Sequence, residues 1–361
     1  MREPTPTAAP APPARPATQG TPTGPAESTP TGRAEVAAFA AANFSRATGA
    51  GLDPHEYLRV TAALTGLDGW GEALMGAARG HLARARQAAG AVSAGEHHQV
   101  AARWFHFATL GPNPERALAA AEADAAMARA LELLDPDARR VEGPEFAGWL
   151  RGPAGAPVAI VVPGLDSGKE EFHDLVAALL RRGLAVLAMD GPGQGALAAT
   201  TTVRADYHRV VARVVDALGA RRVGLVGLSL GGYYAAESAA HEPRVAVAAT
   251  VSGPFRLDWA ALPDPVRLLL AERAGGEDAA RAFAGRVDLS ALAARVACPL
   301  LVVDGGQDVI PGVTCGEALA RRAPRGRYLR IPHGDHLLGN ARPDWLPALA
   351  DHIAGGLTPE A

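Results

Sequence analysis

The chain has 361 residues, 48% hydrophobic and 20% charged, with 35 Lys+Arg against 38 Asp+Glu. Those figures exclude a fully disordered or collagen-like chain, and the near balance of charge leaves no electrostatic footprint for nucleic acid or an anionic membrane surface. Cys298 and Cys315 are the only cysteines, too few for a disulfide framework or a Cys-rich zinc site.

Residues 1–32 hold nine of the 29 prolines, and no large apolar side chain follows Met1 until Val36. Such a segment buries too little surface to offset its ordering entropy, which predicts a disordered tail. The opening residues lack a signal peptide's apolar stretch, and no later run reaches the roughly 20 apolar residues of a membrane span. The expectation is a soluble, cytoplasmic protein acting on a small molecule.

From 33 to 136 the chain is Ala-rich, with no alternation of period two, and reads as a helical domain. Its last helix is marked by Asn113 as cap and Pro114 in the first turn. Met127, Leu131 and Leu134 share one face, and Pro136 marks the stop. Trp104, Phe105 and Phe107 read as core, with an aromatic pocket wall as the alternative.

After Pro136, short apolar runs at 158–162, 184–189, 223–227, 245–251 and 300–303 alternate with helix-length segments. Strands covered on both faces read this way, so the core over 137–355 is an α/β, doubly wound, mostly parallel sheet. Residues 139–151, broken at Gly143-Pro144, suit an antiparallel entry hairpin. A strand near 327–331 and a helix near 343–353 end the core. The stretch at about 253–297 exceeds a simple crossover and predicts a helical cap over the pocket.

Ligands in such sheets sit beyond the carboxyl ends of the strands. There Gly227-Leu228-Ser229-Leu230-Gly231 joins a strand to a helix, a turn that lifts a serine hydroxyl out of the backbone. The bland alternative is a Gly-rich turn with Ser229 as cap. A serine nucleophile needs a base, and the base an orienting acid. Downstream lie Asp304-Gly305-Gly306-Gln307-Asp308 and His333-Gly334-Asp335-His336. The assignment is Asp308 as acid and His336 as base, with Asp304 and His333 as runners-up. Asp335 holds the turn. The loop after the first parallel strand, from Pro163 to Lys169, can place a second amide opposite the nucleophile, so the backbone N–H groups of Leu165 and Leu230 are the expected oxyanion donors. Asp190-Gly191-Pro192-Gly193-Gln194-Gly195 reads as a structural turn beneath the site. No cofactor or metal is called for.

Together these motifs resemble the α/β-hydrolase superfamily over about 137–355. Gly164 to Glu171, Asp190 to Gly195 and Gly334-Asp335-His336 resemble the branch containing 2,6-dihydroxypseudooxynicotine hydrolase and FrsA-like esterases, whose members carry an N-terminal helical domain. The resemblance implies a substrate pocket between the two domains. It also implies Ser229, Asp308 and His336 as a triad that hydrolyses an ester or a carbon–carbon bond beside a ketone. The carbon–carbon hydrolase uses an additional glutamate, and the corresponding stretch here offers Asp258 as auxiliary acid. Relatives in natural-product assembly make a lyase that eliminates an acyl group such as acetate the alternative, and a non-catalytic binding protein the third reading. The helical region offers a surface for a homodimer.

Overall fold

The apolar runs lie at the centre of one sheet, where helices on both faces exclude water and no polar face is needed. In a computed structural model, which describes Met1 and residues 30–358, the chain begins with five helices. These are α1 (Pro30–Gly49), α2 (Pro54–Ala62), α3 (Trp70–Gln87), α4 (Ala91–Phe107) and α5 (Arg116–Leu134). Most of the tail expected over 1–32 lies outside the described residues. Residues 30–32, assigned to that tail, instead form the first turn of α1. A proline suits this place, since its fixed φ fits a helix and its missing N–H would have no intrahelical acceptor.

Beyond α5 come β1 (Arg139–Gly143), β2 (Phe146–Arg151), β3 (Val158–Val162), α6 (His173–Leu180), β4 (Ala185–Asp190), α7 (His208–Leu218), β5 (Val223–Leu228), α8 (Leu230–His241) and β6 (Val245–Val251). Then follow β7 (Arg256–Leu257), α9 (Asp264–Ala274), α10 (Glu277–Arg286), β8 (Leu300–Gly305), β9 (Val313–Thr314), α11 (Glu317–Arg322), β10 (Gly326–Ile331) and α12 (Arg342–Leu357). The eight-stranded sheet runs β1-β2-β4-β3-β5-β6-β8-β10. The β1–β2 hairpin closes at Gly143 opposite Phe146, and β2 joins β4 antiparallel. From β4 to β10 every pairing is parallel. β7 and β9 form a separate two-stranded ribbon at the base of the excursion that carries α9 and α10.

One face of the sheet packs on Val210, Val211 and Val214 of α7, Tyr234 of α8, and Phe255 and Phe283 of the excursion. The other packs on Leu175 and Leu179 of α6 and on Trp345, Leu349 and Ile353 of α12. A third core holds Tyr57, Trp70, Leu74, Trp104, Phe105 and Phe107 among the N-terminal helices. The three aromatics of α4 are therefore packing residues, not a pocket wall. No helix among the described residues is long and apolar enough to cross a membrane.

Ile160 is fully buried in β3, opposite Leu187 and Leu225. Ile160→Ala should lower unfolding free energy by about 2–5 kcal/mol in urea titrations. A loss well under about 1 kcal/mol would contradict this close-packed environment.

Candidate active site

At the end of β5 the chain turns sharply into α8. Ser229 occupies the turn with φ 53° and ψ −127°, a backbone conformation that costs a non-glycine residue on the order of 1–3 kcal/mol. Its neighbours hold it there. Ser229 N–H donates to the Val251 carbonyl at 2.8 Å, and Gly232 N–H donates to the Ser229 carbonyl at 2.7 Å. A Cβ on Gly227 would lie 1.8 Å from the Gly231 carbonyl oxygen, and one on Gly231 would lie 2.3 Å from that of Val162. Both flanking glycines are thus steric requirements of the turn.

Three distant segments meet at this serine. Ser229 Oγ lies 3.0 Å from His336 Nε2, and His336 Nδ1 lies 3.0 Å from each carboxylate oxygen of Asp308. With Nδ1–H held by Asp308, Nε2 presents its lone pair to the hydroxyl. The His336 side chain is 38% exposed, so the ring remains reachable from solvent. The loop that carries it is bent through positive φ at Leu337 and Leu338, and Leu337 N–H donates to Ser252 Oγ at 3.0 Å.

The other carboxylates and histidines of these loops are used elsewhere. Asp304 is buried and accepts from Gly316 N–H at 2.9 Å; burial pushes its carboxyl up to about 6, against the hydrogen bonds from Gly316 and Tyr328. His333 is exposed and pairs with Asp344 at 3.1 Å. Asp335 accepts from the Ser45 hydroxyl of α1. Asp258, expected as an auxiliary acid, is exposed and caps its own turn by accepting from Ala260 N–H at 3.1 Å. A short acidic side chain at a loop start is readily captured by the local backbone.

Opposite Ser229 lies the loop 163–171. An ideal Cβ on Gly164 would sit 2.9 Å from the Ser229 Cβ, so the two backbones touch. Gln194 Nε2 donates to the carbonyls of Pro163 and Gly164 at 2.6 and 2.9 Å. Gln194 is itself fixed, its Oε1 accepting from Gly191 N–H and the Tyr207 hydroxyl. In a trans peptide, a Gly164 carbonyl pointing at Gln194 turns the Leu165 N–H the other way. The Leu230 N–H opens α8 and so has no intrahelical acceptor.

The remainder of this loop carries a buried charge network. Arg46 of α1 bonds Asp166 at 3.1 Å and Glu171 at 2.7 Å, and His106 of α4 bonds Glu171 at 3.0 Å. Lys169 Nζ lies 2.7 Å from each of Asp124, Glu170 and Asp190. Burial alone would raise the Glu171 carboxyl, but Arg46 and His106 outweigh it and hold it far below the usual range. Burial does raise Glu170, with Lys169 pulling the other way. Beside the network is a cavity of about 210 Å³, walled by α5, the 166–170 loop, residues 195–199 and the end of α9. Nothing in the linear sequence singled out Arg46, His106 or Asp124, and Gln194 stood out only as part of the Asp190–Gly195 turn. The run Lys169-Glu170-Glu171 is buried although all three side chains are charged.

The sequence profile of the Alpha/beta hydrolase family matches residues 159–349. The chain is 32% identical over 200 residues to 2,6-dihydropseudooxynicotine hydrolase of Paenarthrobacter nicotinovorans, covering 51% of this chain and 54% of that protein. It is 33% identical over 172 residues to 20-hydroxy-prefusarin hydrolase FUS2 of Gibberella moniliformis (strain M3125 / FGSC 7600), covering 40% of this chain and 41% of that protein. These matches span about half or less of the curated relatives' length. The solved structure of the 2,6-dihydroxy-pseudo-oxynicotine hydrolase superposes with a TM-score of 0.71 at 27% identity, covering 91% of this chain and 96% of that one.

The folded-state carboxyl of Asp304 lies above its ordinary value, so the native state keeps a proton that the unfolded chain releases. Stability contributed by this site is therefore present below about pH 4 and lost as pH rises to about 6, by on the order of 3 kcal/mol. Asp304→Asn should remove that decline, so its stability relative to the native chain should rise between pH 4 and 7 in urea titrations. A difference between the two proteins that is constant with pH would refute the assignment.

Proposed function

Because the chain belongs to the Alpha/beta hydrolase family, we propose that it is a serine-dependent hydrolase working through an acyl-enzyme. The observation that carries this reading is the continuous contact from Ser229 Oγ through the His336 ring to the Asp308 carboxylate, each step at 3.0 Å. His336 Nε2 accepts the hydroxyl proton as Ser229 Oγ attacks a carbonyl carbon, and Asp308 steadies the imidazolium that forms. The N–H groups of Leu165 and Leu230 receive the developing oxyanion. The pinned Pro163 and Gly164 carbonyls support this role, since donors already in place need no reorganisation during reaction. His336 next delivers its proton to the departing alkoxide or carbanion. Water, deprotonated by the same ring, then releases the acyl group as a carboxylic acid.

The substrate we propose is a small, largely apolar metabolite bearing an ester, or a ketone beside the carbon–carbon bond that breaks. The names of the relatives support the class, since they make these proteins hydrolases of 2,6-dihydropseudooxynicotine and of 20-hydroxy-prefusarin. The cavity beside the 166–170 loop supports a binding place between the N-terminal helices and the sheet.

Ser229→Ala should lower turnover of a p-nitrophenyl ester by about 10⁴-fold or more, and should abolish labelling by a fluorophosphonate. Asp308→Asn should lower kcat by about 10³–10⁴-fold, whereas Asp304→Asn should leave the pH–rate profile in place. Near-native turnover by Ser229→Ala would refute nucleophilic catalysis. With a natural substrate in hand, the mass of the product separates the two chemistries. A free alcohol or cleaved ketone supports hydrolysis, and a new double bond with loss of an acid would replace it by elimination.

A further inference from the structure

Arg273, near the end of α9, is only 6% exposed. Its guanidinium makes no hydrogen bond or ion pair with any described residue, and Nε is sealed from solvent without an acceptor. Arg273 lines the 210 Å³ cavity, and the other charges on that wall are already matched. Arg116 pairs with Glu272 and donates to the Gly111 carbonyl, and Asp166 is held by Arg46. Glu170 is taken up by Lys169 at 2.7 Å. A guanidinium stays charged at any working pH, and Glu272 and Asp166, which attract Arg273 without bonding it, offset its burial only in part. An anion entering the cavity would offset the rest, and a carboxylate matches the planar fork of donors best.

None of Ser229, Asp308 and His336 lines the cavity, but its wall adjoins the serine along the chain. Gly164 touches Ser229, and Asp166, two residues further on, forms part of the cavity wall, at most about 7 Å along the chain. The cavity lining also holds methyl groups, those of Ala117, Ala120, Ala196 and Ala199 among them. We propose that Arg273 is the specificity-determining residue of this cavity, and that the substrate is an acyl compound whose chain runs over an apolar wall and ends in a carboxylate held by Arg273. This rests on Ser229 as the nucleophile, and it narrows the substrate class to a carbonyl compound with a remote acid.

The test compares p-nitrophenyl hydrogen adipate with p-nitrophenyl hexanoate, two six-carbon acyl groups that differ by the terminal acid. The native protein should favour the acid ester at least tenfold in kcat/KM. Arg273→Gln should reduce that ratio tenfold or more, mainly through KM, and Arg273→Lys should restore part of it. No preference in the native protein, or a ratio unmoved in Arg273→Gln, overturns the proposal. A second measurement needs no variant to fold: adipate should inhibit hexanoate hydrolysis by the native protein competitively, and 1,6-hexanediol should not. Equal inhibition by both, or by neither, overturns it as well. Adipate should also raise the Tm of Ser229→Ala, an outcome independent of turnover. If the esters are hydrolysed just as fast by Ser229→Ala but adipate still protects it, the nucleophile is wrong and the anion site stands. If turnover depends on Ser229 but adipate neither protects nor inhibits, the anion site alone fails.

Discussion

Buried charge is the constraint on which the rest of this molecule depends. Arg46, His106, Asp124, Lys169, Glu170, Glu171 and Asp190 meet where the N-terminal helices press against the sheet. A charge taken out of water must be matched where it lies, and removing one member of such a set leaves the other uncompensated, at a cost of about 3–5 kcal/mol. The helices can therefore dock on the sheet in few ways. Their position is specified less by the apolar surface, which tolerates sliding, than by charges that each need a partner at one place.

That docking reaches Ser229 and His336 through two loops. Arg46 holds the later part of the 163–171 loop, whose Gly164 touches Ser229, while its chain neighbour Ser45 donates to Asp335, next to His336. One turn of α1 thus holds both of these loops. From below, the Asp190–Gly195 turn does the complementary work, Asp190 taking Lys169 and Gln194 pinning the Pro163 and Gly164 carbonyls. The strained backbone of Ser229 sits between these supports, and its strain persists because its surroundings permit no relaxation. Arg273 is the exception within this matched set.

Much of the architecture was legible in the residues alone. Strands buried on both faces leave near-continuous apolar runs, and β3, β5, β6 and β8 lie where those runs lie. The contact of Ser229 with His336 was legible too, because the glycines that permit the turn and the loops after two strands are local features. The tail boundary was misplaced by three residues, since proline density signals disorder and a helix start alike. Asp258 looked like a site acid because its place in the chain suggested one, but its carboxylate caps its own turn.

By itself the sequence determined the alternation of strand and helix, the strand ends, and hence which loops could face one another. Those are consequences of local period and of which backbone a residue tolerates. Tertiary structure alone decided which carboxylate took which cation, why Asp308 and not Asp304 met the imidazole, and that Lys169-Glu170-Glu171 was interior. Charge carries no period along a chain. Its partner is chosen by distance in space and by exclusion of water, and neither exists until the helices and the sheet have closed on each other.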